Sequence, residues 1–183
     1  MKNIKFNLIL AVDDNNWIWA SWDLAWNLPS DLKYFKNITT KTTDLAKHNA
    51  VIMWKNTWNS IPSKFKPLSQ RINCVLSHDL KTSDIGSKID DFVLYFNSFE
   101  HCISELESKD NIENIFVIWW AMLYNYVLWS ELLDKIYITR IKWDFNCDVF
   151  FDWIPENFVL ESYTDYEEEN WIEYSFQVYK KID

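Results

Sequence analysis

A single glycine, Gly86, stands in a chain of 183 residues that also contains twelve tryptophans. Glycine takes positive φ angles without a steric penalty, and tight turns and phosphate-binding loops depend on it. At ordinary usage a chain of this length would contain about 13 glycines. The chain therefore has almost no residue suited to turns of that kind.

The tryptophans lie where apolar runs end and turns are expected. Most of them fall in five short segments, at positions 16–19, 21–23, 53–55, 118–121 and 170–172. Tryptophan is the bulkiest side chain and tolerates a positive φ poorly, so it is the least suitable substitute for glycine at such points. The placement of these residues is therefore informative about the fold.

Composition and charge limit the class of protein. A hydrophobic fraction of 49% and a charged fraction of 25% are typical of a globular protein. The net charge of −9 argues against a nonspecific nucleic-acid-binding protein. The apolar run at 6–12 is too short to span a membrane. The length predicts one domain, residues 1–183, and we expect neither a nucleic-acid partner nor a membrane partner.

The cysteines favour a reducing compartment. Cys74, Cys102 and Cys147 are widely spaced and form no CxxC pair. This pattern indicates neither a zinc site nor a disulfide framework, so we expect no metal and a cytoplasmic location.

Short apolar runs alternate with amphipathic segments along the chain. Strands are predicted at 6–12, 50–53, 72–76, 92–95, 114–118, 135–141 and 174–179, and helices at 29–38, 57–61, 98–106 and 121–128. The polar stretch 81–90 is predicted to be a surface loop. Continuous apolar strands separated by helices indicate an α/β fold with a mainly parallel sheet. The last two strands lack an intervening helix, which favours an antiparallel hairpin.

Asp31 has two interpretations from its spacing. It falls on the first turn of the predicted helix beside Leu32 and Phe35. A carboxylate at a helix N-terminus is usually a cap or a partner of the helix dipole. The alternative is a functional carboxylate.

Five segments, in order, resemble the dihydrofolate reductase family. They lie at positions 11–36, 51–62, 67–77, 115–124 and 136–141, the last followed by 148–151. The first resembles the family's Gly-Ile-Gly, Leu-Pro-Trp and following helical carboxylate, and the fourth its strand, Gly-Gly pair and tyrosine. The resemblance runs from about Asn7 to Tyr179. It implies a three-layer α/β/α fold with a central mostly parallel sheet and a C-terminal antiparallel hairpin.

The resemblance also implies an activity. A member of this family reduces 7,8-dihydrofolate to tetrahydrofolate with a hydride from NADPH, for one-carbon metabolism and thymidylate synthesis. We therefore expect dihydrofolate as the substrate, NADPH as the cofactor, and a monomeric cytoplasmic enzyme.

Catalytic and substrate-binding residues carry over at matching positions. The resemblance implies that Asp31 hydrogen-bonds the pterin, that Trp26 holds an ordered water near it, and that Thr139 orients Asp31. It implies that Arg71 binds the carboxylate of the glutamate tail. The remaining implied substrate-binding residues are Ile9, Ala11, Leu32, Phe35, Ile61, Leu68, Ile118 and Tyr124.

Cofactor-binding residues carry over in the same way. Lys55 stands where the family places a cation for the 2′-phosphate of the adenosine. The whole implied set is Ala11, Ile18, Trp19, Trp54, Lys55, Asn56, Thr57, Leu76, Ser77, His78, Ile118, Trp119, Trp120, Ala121, Met122, Leu123 and Tyr124.

Ten tryptophans stand where the family's pattern, or ordinary turn chemistry, requires glycine. Two indoles at 119 and 120 would occupy the space that the family gives to the cofactor. We hypothesise that UGA codons, which some bacteria translate as glycine, have been translated here as tryptophan. The ten positions are Trp17, Trp19, Trp22, Trp54, Trp119, Trp120, Trp129, Trp143, Trp153 and Trp171, whereas Trp26 and Trp58 occupy family tryptophan positions.

Three alternatives stay open at this point. One is a related pterin or pyrimidine reductase of the same fold. Another is an aromatic-rich binding module, whose indoles would lie on regular faces of strands. The third is a catalytically inactive relative whose cofactor groove is filled by tryptophan.

Overall fold

The computed structural model describes residues 4–19, 27–79, 88–90, 92–119, 121–143 and 149–182. The chain divides into two compact units. The first unit comprises Met1–Phe6 and Asn37–Trp120, and the second comprises Asn7–Lys36 and Ala121–Asp183.

Twelve strands occur in the described part of the chain. They are β1 (Phe6–Asp13), β2 (Trp17–Trp19), β3 (His48–Trp54), β4 (Arg71–Leu76), β5 (Lys88–Asp90), β6 (Val93–Phe96), β7 (Ile112–Ile118), β8 (Leu133–Lys142), β9 (Val149–Phe150), β10 (Phe158–Tyr163), β11 (Glu167–Glu169) and β12 (Ile172–Lys181). The described helices are α1 (Pro29–Thr40), α2 (Lys55–Ser60), α3 (Phe99–Glu107) and α4 (Ala121–Val127), with a 3-10 helix at Ser63–Phe65.

The first unit contains the parallel strands. Its strand order is β7-β3-β4-β6-β5. β3 pairs in parallel with both β7 and β4, so that Ile52 lies opposite Val117 on one side and Cys74 on the other. All six residues of β4 and the central five of β3 are buried. Burial on both faces explains why these strands are continuous apolar runs in the sequence, and the predicted parallel pairing is confirmed.

The second unit contains the antiparallel C-terminal strands. Its strand order is β10-β12-β8-β1, with β11 also paired to β12. β12 runs antiparallel to β8, and Phe176 lies opposite Thr139. The predicted antiparallel relation of the last two predicted strands is thus confirmed. The fold class is mixed α/β, with mostly parallel strands followed by antiparallel C-terminal strands.

Five of the described strands were not predicted, and they are β2, β5, β9, β10 and β11. Five of the six residues of β10 are exposed and its apolar run is only three residues long, and β11 consists of three glutamates. The prediction of a loop over the whole of 81–90 was wrong at its end, because Lys88–Asp90 form β5. β5 forms by pairing with β6, and a three-residue strand is too short for a periodic signal.

Two helix starts, those of α1 and α3, follow local sequence signals. The helix predicted at Pro29 is α1, as expected from the proline at its first position. The cap predicted at Ser98 is confirmed, since the Ser98 hydroxyl accepts a hydrogen bond from the His101 N–H at 3.2 Å. α2 begins at Lys55, two residues before the predicted start.

Candidate functional site

Asp31 lies on the first turn of α1 and accepts a hydrogen bond from a buried threonine. The Thr139 hydroxyl donates to Asp31 Oδ1 at 2.6 Å, across 108 residues of sequence. Thr139 is buried on β8. Burial of the carboxyl raises the pKa of Asp31 from its ordinary 3.8 to about 6, and the hydrogen bond from Thr139 opposes that rise. The site therefore holds an acid that gains and loses its proton close to neutral pH.

Aromatic packing holds the start of α1 against the C-terminal strands. The rings of Tyr34 and Phe176 stack with centroids 3.9 Å apart and planes 13° apart. Phe176 lies directly opposite Thr139 in the β8–β12 pairing. Burial raises the pKa of Tyr34, and the neighbouring Tyr137 and Asp31 add to that rise. This stack fixes the helix turn that carries Asp31.

Glu169 anchors the same helix at its first residues. Its carboxylate Oε2 accepts a hydrogen bond from the Ser30 backbone N–H at 2.9 Å. A carboxylate at a helix N-terminus accepts a hydrogen bond from a backbone N–H that has no partner within the helix, and its negative charge interacts favourably with the helix dipole. No sequence pattern marks Tyr34, Phe176 or Glu169 as part of the site, because each acts through a partner more than 100 residues away.

β1 and α4 bring further predicted residues together. The Tyr124 hydroxyl donates to the Ile9 carbonyl at 2.9 Å. Tyr124 is fully buried, and its ring packs edge-on against Phe151 with centroids 6.3 Å apart. Ile9 and Ala11 are also buried on β1.

The predicted residues of α1 differ in exposure. Leu32 is exposed on α1, whereas Phe35, one turn later, is buried. Ile18 on β2 and Leu123 on α4 are buried.

Arg71 opens β4 in the first unit and is 3% exposed. Its Nη1 donates to the Thr39 hydroxyl at 2.7 Å and its Nε donates to the Ser69 carbonyl at 3.0 Å. Burial lowers the pKa of the Arg71 guanidinium to about 10, which leaves it positively charged at neutral pH. Leu68 and Ile61, also predicted to bind substrate, are buried in the same unit.

The predicted cofactor residues of the first unit cluster at the carboxyl ends of its parallel strands. β3 ends at Trp54, β4 at Leu76 and β7 at Ile118, and these strands are neighbours. Trp54 and Leu76 lie opposite each other in the β3–β4 register. This edge is where ligands bind in parallel α/β sheets. The segments that follow the three strands supply Lys55–Asn56–Thr57, Ser77–His78 and Trp119.

Two contacts tie these segments to one another. The Thr57 hydroxyl donates to the Trp119 carbonyl at 2.8 Å. The rings of Trp54 and His78 lie 4.7 Å apart between centroids. Lys55, Asn56 and His78 are exposed, whereas Thr57 and Ser77 are buried. The edge therefore presents an exposed cation and an imidazole beside buried hydroxyl groups, a set suited to phosphate groups.

Some predicted residues lie outside the described part of the chain. Trp26 and Trp120 are among them. Trp19 belongs to β2, and Ala121 and Met122 begin α4, but the described structure does not extend to their side chains.

Several tryptophans have backbone angles or exposures that suit glycine. Trp119 has φ of 51° and Trp171 has φ of 65°, both in the left-handed region. Four indoles are largely in solvent: Trp129 at 70%, Trp143 at 55%, Trp153 at 76% and Trp171 at 87%. A bulky aromatic residue at positive φ is a genuine conformational outlier. Trp17 differs, because it packs against the buried cluster that contains Ala11 and Tyr174.

The pKa of Asp31 makes the stability of the fold depend on pH. Between about pH 4 and 6 the folded state keeps a proton that the unfolded state has released, so the free energy of unfolding falls as pH rises through that window. We expect a loss of about 2 kcal/mol that levels off above pH 6. Asp31→Asn cannot titrate and should lack this loss.

Urea unfolding at pH 4.5 and pH 7.5, compared between the parent and Asp31→Asn, measures this difference. Subtracting the change in the free energy of unfolding of Asp31→Asn from that of the parent removes the contribution of every other titrating group. An identical pH dependence in both would show that Asp31 has an ordinary pKa in the folded state.

Metal and membrane signals are absent from the described residues. In the described part of the chain, no group of three or more histidine, cysteine or acidic side chains is arranged to hold a metal ion. None of the described helices is both long and apolar enough to cross a bilayer.

Comparison with known proteins gives one consistent result. The profile of the family described as dihydrofolate reductase matches residues 5–181. A dihydrofolate reductase of Heliothis virescens is 35% identical over 187 aligned residues that cover the whole of both chains. The dihydrofolate reductase of Drosophila melanogaster is 35% identical, with 97% of this chain and 98% of that protein covered. That of Sus scrofa is 34% identical, with 96% and 97% covered.

Proposed function

The chain belongs to the dihydrofolate reductase family and reduces dihydrofolate, and we propose that the reaction uses NADPH. When bound, NADPH supplies the hydride that C6 of dihydrofolate accepts. We further propose that residues 1–183 act as one functional domain, as a monomer in the cytoplasm, and that the tetrahydrofolate formed serves one-carbon metabolism and thymidylate synthesis.

The Asp31–Thr139 pair is the observation on which the assignment of the catalytic acid depends. A carboxyl with a pKa of about 6 is partly protonated at neutral pH, as a group that delivers a proton must be. We propose that Asp31 hydrogen-bonds the amino group and ring nitrogen of the pterin and directs a proton toward N5. Thr139 orients the carboxyl through its 2.6 Å hydrogen bond. Trp26 is proposed to hold the water through which that proton moves.

The other substrate-binding residues keep the roles proposed from the sequence. Arg71 keeps its charge while buried, which suits a bidentate contact to a carboxylate of the tail. Apolar side chains would enclose the pterin and the aminobenzoyl ring. They are Ile9, Ala11, Leu32, Phe35, Ile61, Leu68, Ile118 and Tyr124.

The side chains at the ends of β3, β4 and β7 fit the anionic parts of NADPH. Lys55 is exposed at the first position of α2, and the exposed His78 and buried Ser77 follow the neighbouring strand β4. We propose that these three hold the 2′-phosphate, and that Thr57 with the backbone at 119–121 holds the pyrophosphate. The indole of Trp119 does not fit this role, because a close backbone approach needs a residue without a side chain.

We propose that glycine occupies the ten positions in the protein that the cell makes, through UGA codons translated as glycine. Support comes from Trp119 and Trp171 at positive φ and from the four exposed indoles. The codons test this proposal directly, since UGA at the ten positions with UGG at 26 and 58 is expected. Mass spectrometry of peptides from the native protein gives the same answer independently. UGG at all ten positions would refute it.

The function is tested by the loss of NADPH absorbance in the presence of dihydrofolate. The assay is run on the chain as printed and on a form with Gly at all ten positions, here called the ten-glycine form. We expect turnover in the ten-glycine form. Activity in neither form contradicts the enzyme assignment and leaves an aromatic-rich binding module, whereas activity with another pterin or a pyrimidine alone identifies a related reductase.

Lys55→Gln is expected to weaken the preference for NADPH over NADH. Loss of one charge-assisted contact to the 2′-phosphate should raise KM for NADPH about tenfold and leave KM for NADH unchanged. Initial rates of the ten-glycine form with each nucleotide measure the change. Lys41→Gln, at an exposed lysine elsewhere, is the control. An equal effect on both nucleotides would place Lys55 away from the 2′-phosphate.

A further inference from the structure

The guanidinium of Arg71 is fixed from two sides by neutral groups. Thr39 accepts from Nη1 at 2.7 Å through its hydroxyl, and Ser69 accepts from Nε at 3.0 Å through its carbonyl. Nε and Nη1 both belong to the planar guanidinium group, so the two hydrogen bonds together fix the orientation of its plane. Neither group carries a charge, and the two contacts set the geometry of the guanidinium.

Thr39 is itself held in place by a buried amide. It lies in the last turn of α1 and is fully buried. The Asn49 side chain Nδ2 donates to the Thr39 carbonyl at 3.1 Å and to the Lys41 carbonyl at 2.9 Å. The end of α1 is therefore anchored to β3, which gives the Thr39 hydroxyl a fixed position beside Arg71.

Asn73 fixes the loop that carries Leu68 and leads into Arg71. Its Oδ1 accepts from the Leu68 N–H at 2.9 Å, and its Nδ2 donates to the Leu68 carbonyl at 3.0 Å. The same Nδ2 donates to the Arg71 carbonyl at 2.9 Å. Asn73 is fully buried on β4. One amide thus satisfies the backbone on both sides of the loop and limits its movement.

We infer that Thr39 and Asn73 are positioning residues that orient Arg71 and Leu68 for the carboxylate-bearing tail of the substrate. This inference rests on the proposed function of Arg71 in binding that tail. A bidentate contact requires the guanidinium plane to be aligned with the carboxylate, and alignment before binding removes the entropy loss of fixing a long side chain. Thr39 and Asn73 therefore control affinity for the tail and leave affinity for the pterin ring unchanged.

Thr39→Val tests the inference, because valine keeps the shape of threonine and removes the hydroxyl. Dissociation constants are measured for dihydrofolate and for 6-methyl-7,8-dihydropterin, which lacks the tail. We expect the dissociation constant for dihydrofolate to rise about tenfold and that for the tail-less pterin to stay the same. Asn73→Ser should show the same split.

Three controls separate positioning from general damage. Thr39→Ser keeps the hydroxyl and should restore most of the affinity for dihydrofolate, and Thr42→Val removes a hydroxyl three residues away without effect. Circular dichroism checks that each variant is folded, and Thr39→Ala replaces Thr39→Val if valine prevents folding. The measurements are made on the chain as printed and on the ten-glycine form, since none of the ten positions lies in this cluster.

The possible results distinguish the positioning role of Thr39 and Asn73 from the tail-binding role of Arg71 on which it rests. If the parent protein binds both probes equally, the tail-binding role of Arg71 fails and the inference fails with it. If the parent prefers dihydrofolate and Thr39→Val keeps that whole preference, the positioning inference alone is overturned. Equal weakening of both probes in Thr39→Val also overturns it, because a loss common to both indicates general distortion.

Discussion

Asp31→Asn should lower kcat/KM for dihydrofolate by about 10²- to 10⁴-fold at neutral pH, the usual contribution of a positioned acid. The Asp31 carboxyl has a pKa of about 6, so the parent holds an appreciable protonated fraction near neutrality, whereas an asparagine amide cannot supply a proton. The rate of the parent should fall as pH rises above about 6. Initial rates from pH 5 to 9 in the ten-glycine form measure both effects.

The same experiment has a matched control in Asp165→Asn, at an exposed carboxylate between β10 and β11. That variant should keep the rate and pH profile of the parent. Thr139→Val should move the profile in a defined direction, because the Thr139 hydrogen bond lowers the pKa of Asp31 and its loss shifts the profile to higher pH. An Asp31→Asn variant with most of the parent's activity would exclude Asp31 as the catalytic acid.

Glycine at 119 and 120 should increase the affinity for NADPH by about 10²-fold relative to the chain as printed. At the proposed close approach to the cofactor, an indole at each position would overpack the site, at a cost of about 1–3 kcal/mol each. Trp119 has φ of 51°, and its carbonyl accepts from Thr57 at 2.8 Å, so the backbone at this position is already held as a glycine-like turn. Fluorescence titration with NADPH measures the dissociation constant.

Two single replacements separate cofactor binding from backbone strain. Trp171 also has a positive φ but lies in the turn between β11 and β12, so Trp171→Gly should stabilise the fold by about 1–2 kcal/mol without changing NADPH affinity. Trp58→Gly should destabilise, because Trp58 is a helical residue of α2 that Lys66 covers with its ammonium group 5.3 Å from the ring. Equal NADPH affinity with and without the indoles would contradict the glycine assignment.

The positions of the buried strands could be predicted from the sequence, because a strand buried on both faces is a continuous run of apolar residues. In β3 and β4 almost every residue is buried, and the apolar run marks the strand directly. β10 has only a three-residue apolar run and β11 has none, since most of their side chains are exposed, and both strands pair with β12. Hydrophobic patterns in a sequence indicate which residues are buried. They do not predict an exposed strand that forms only through backbone pairing with a neighbouring strand.

The candidate site divides in the same way. Asp31, Thr139, Arg71 and Lys55 were identified through segments that resemble a known family, each with a short recognisable spacing. Spacing alone left Asp31 as a plausible helix cap. Its raised pKa follows from the burial around it, and the hydrogen bond from Thr139, 108 residues away, opposes that rise. No local pattern carries a contact across such a separation.

Residue types and their order were therefore enough to establish the α/β class, most of its strands and the family chemistry, since hydrophobic burial and motif spacing are written locally along the chain. Only the tertiary structure decided four other features. They are the stacking of Tyr34 on Phe176, the hydrogen bond from Arg71 to Thr39, the hydrogen bonds between Asn73 and Leu68, and the positive φ of Trp119. The Tyr34–Phe176 stack and the Thr39–Arg71 hydrogen bond join segments that are well separated in sequence, and only the packing of the folded chain decides which segments meet.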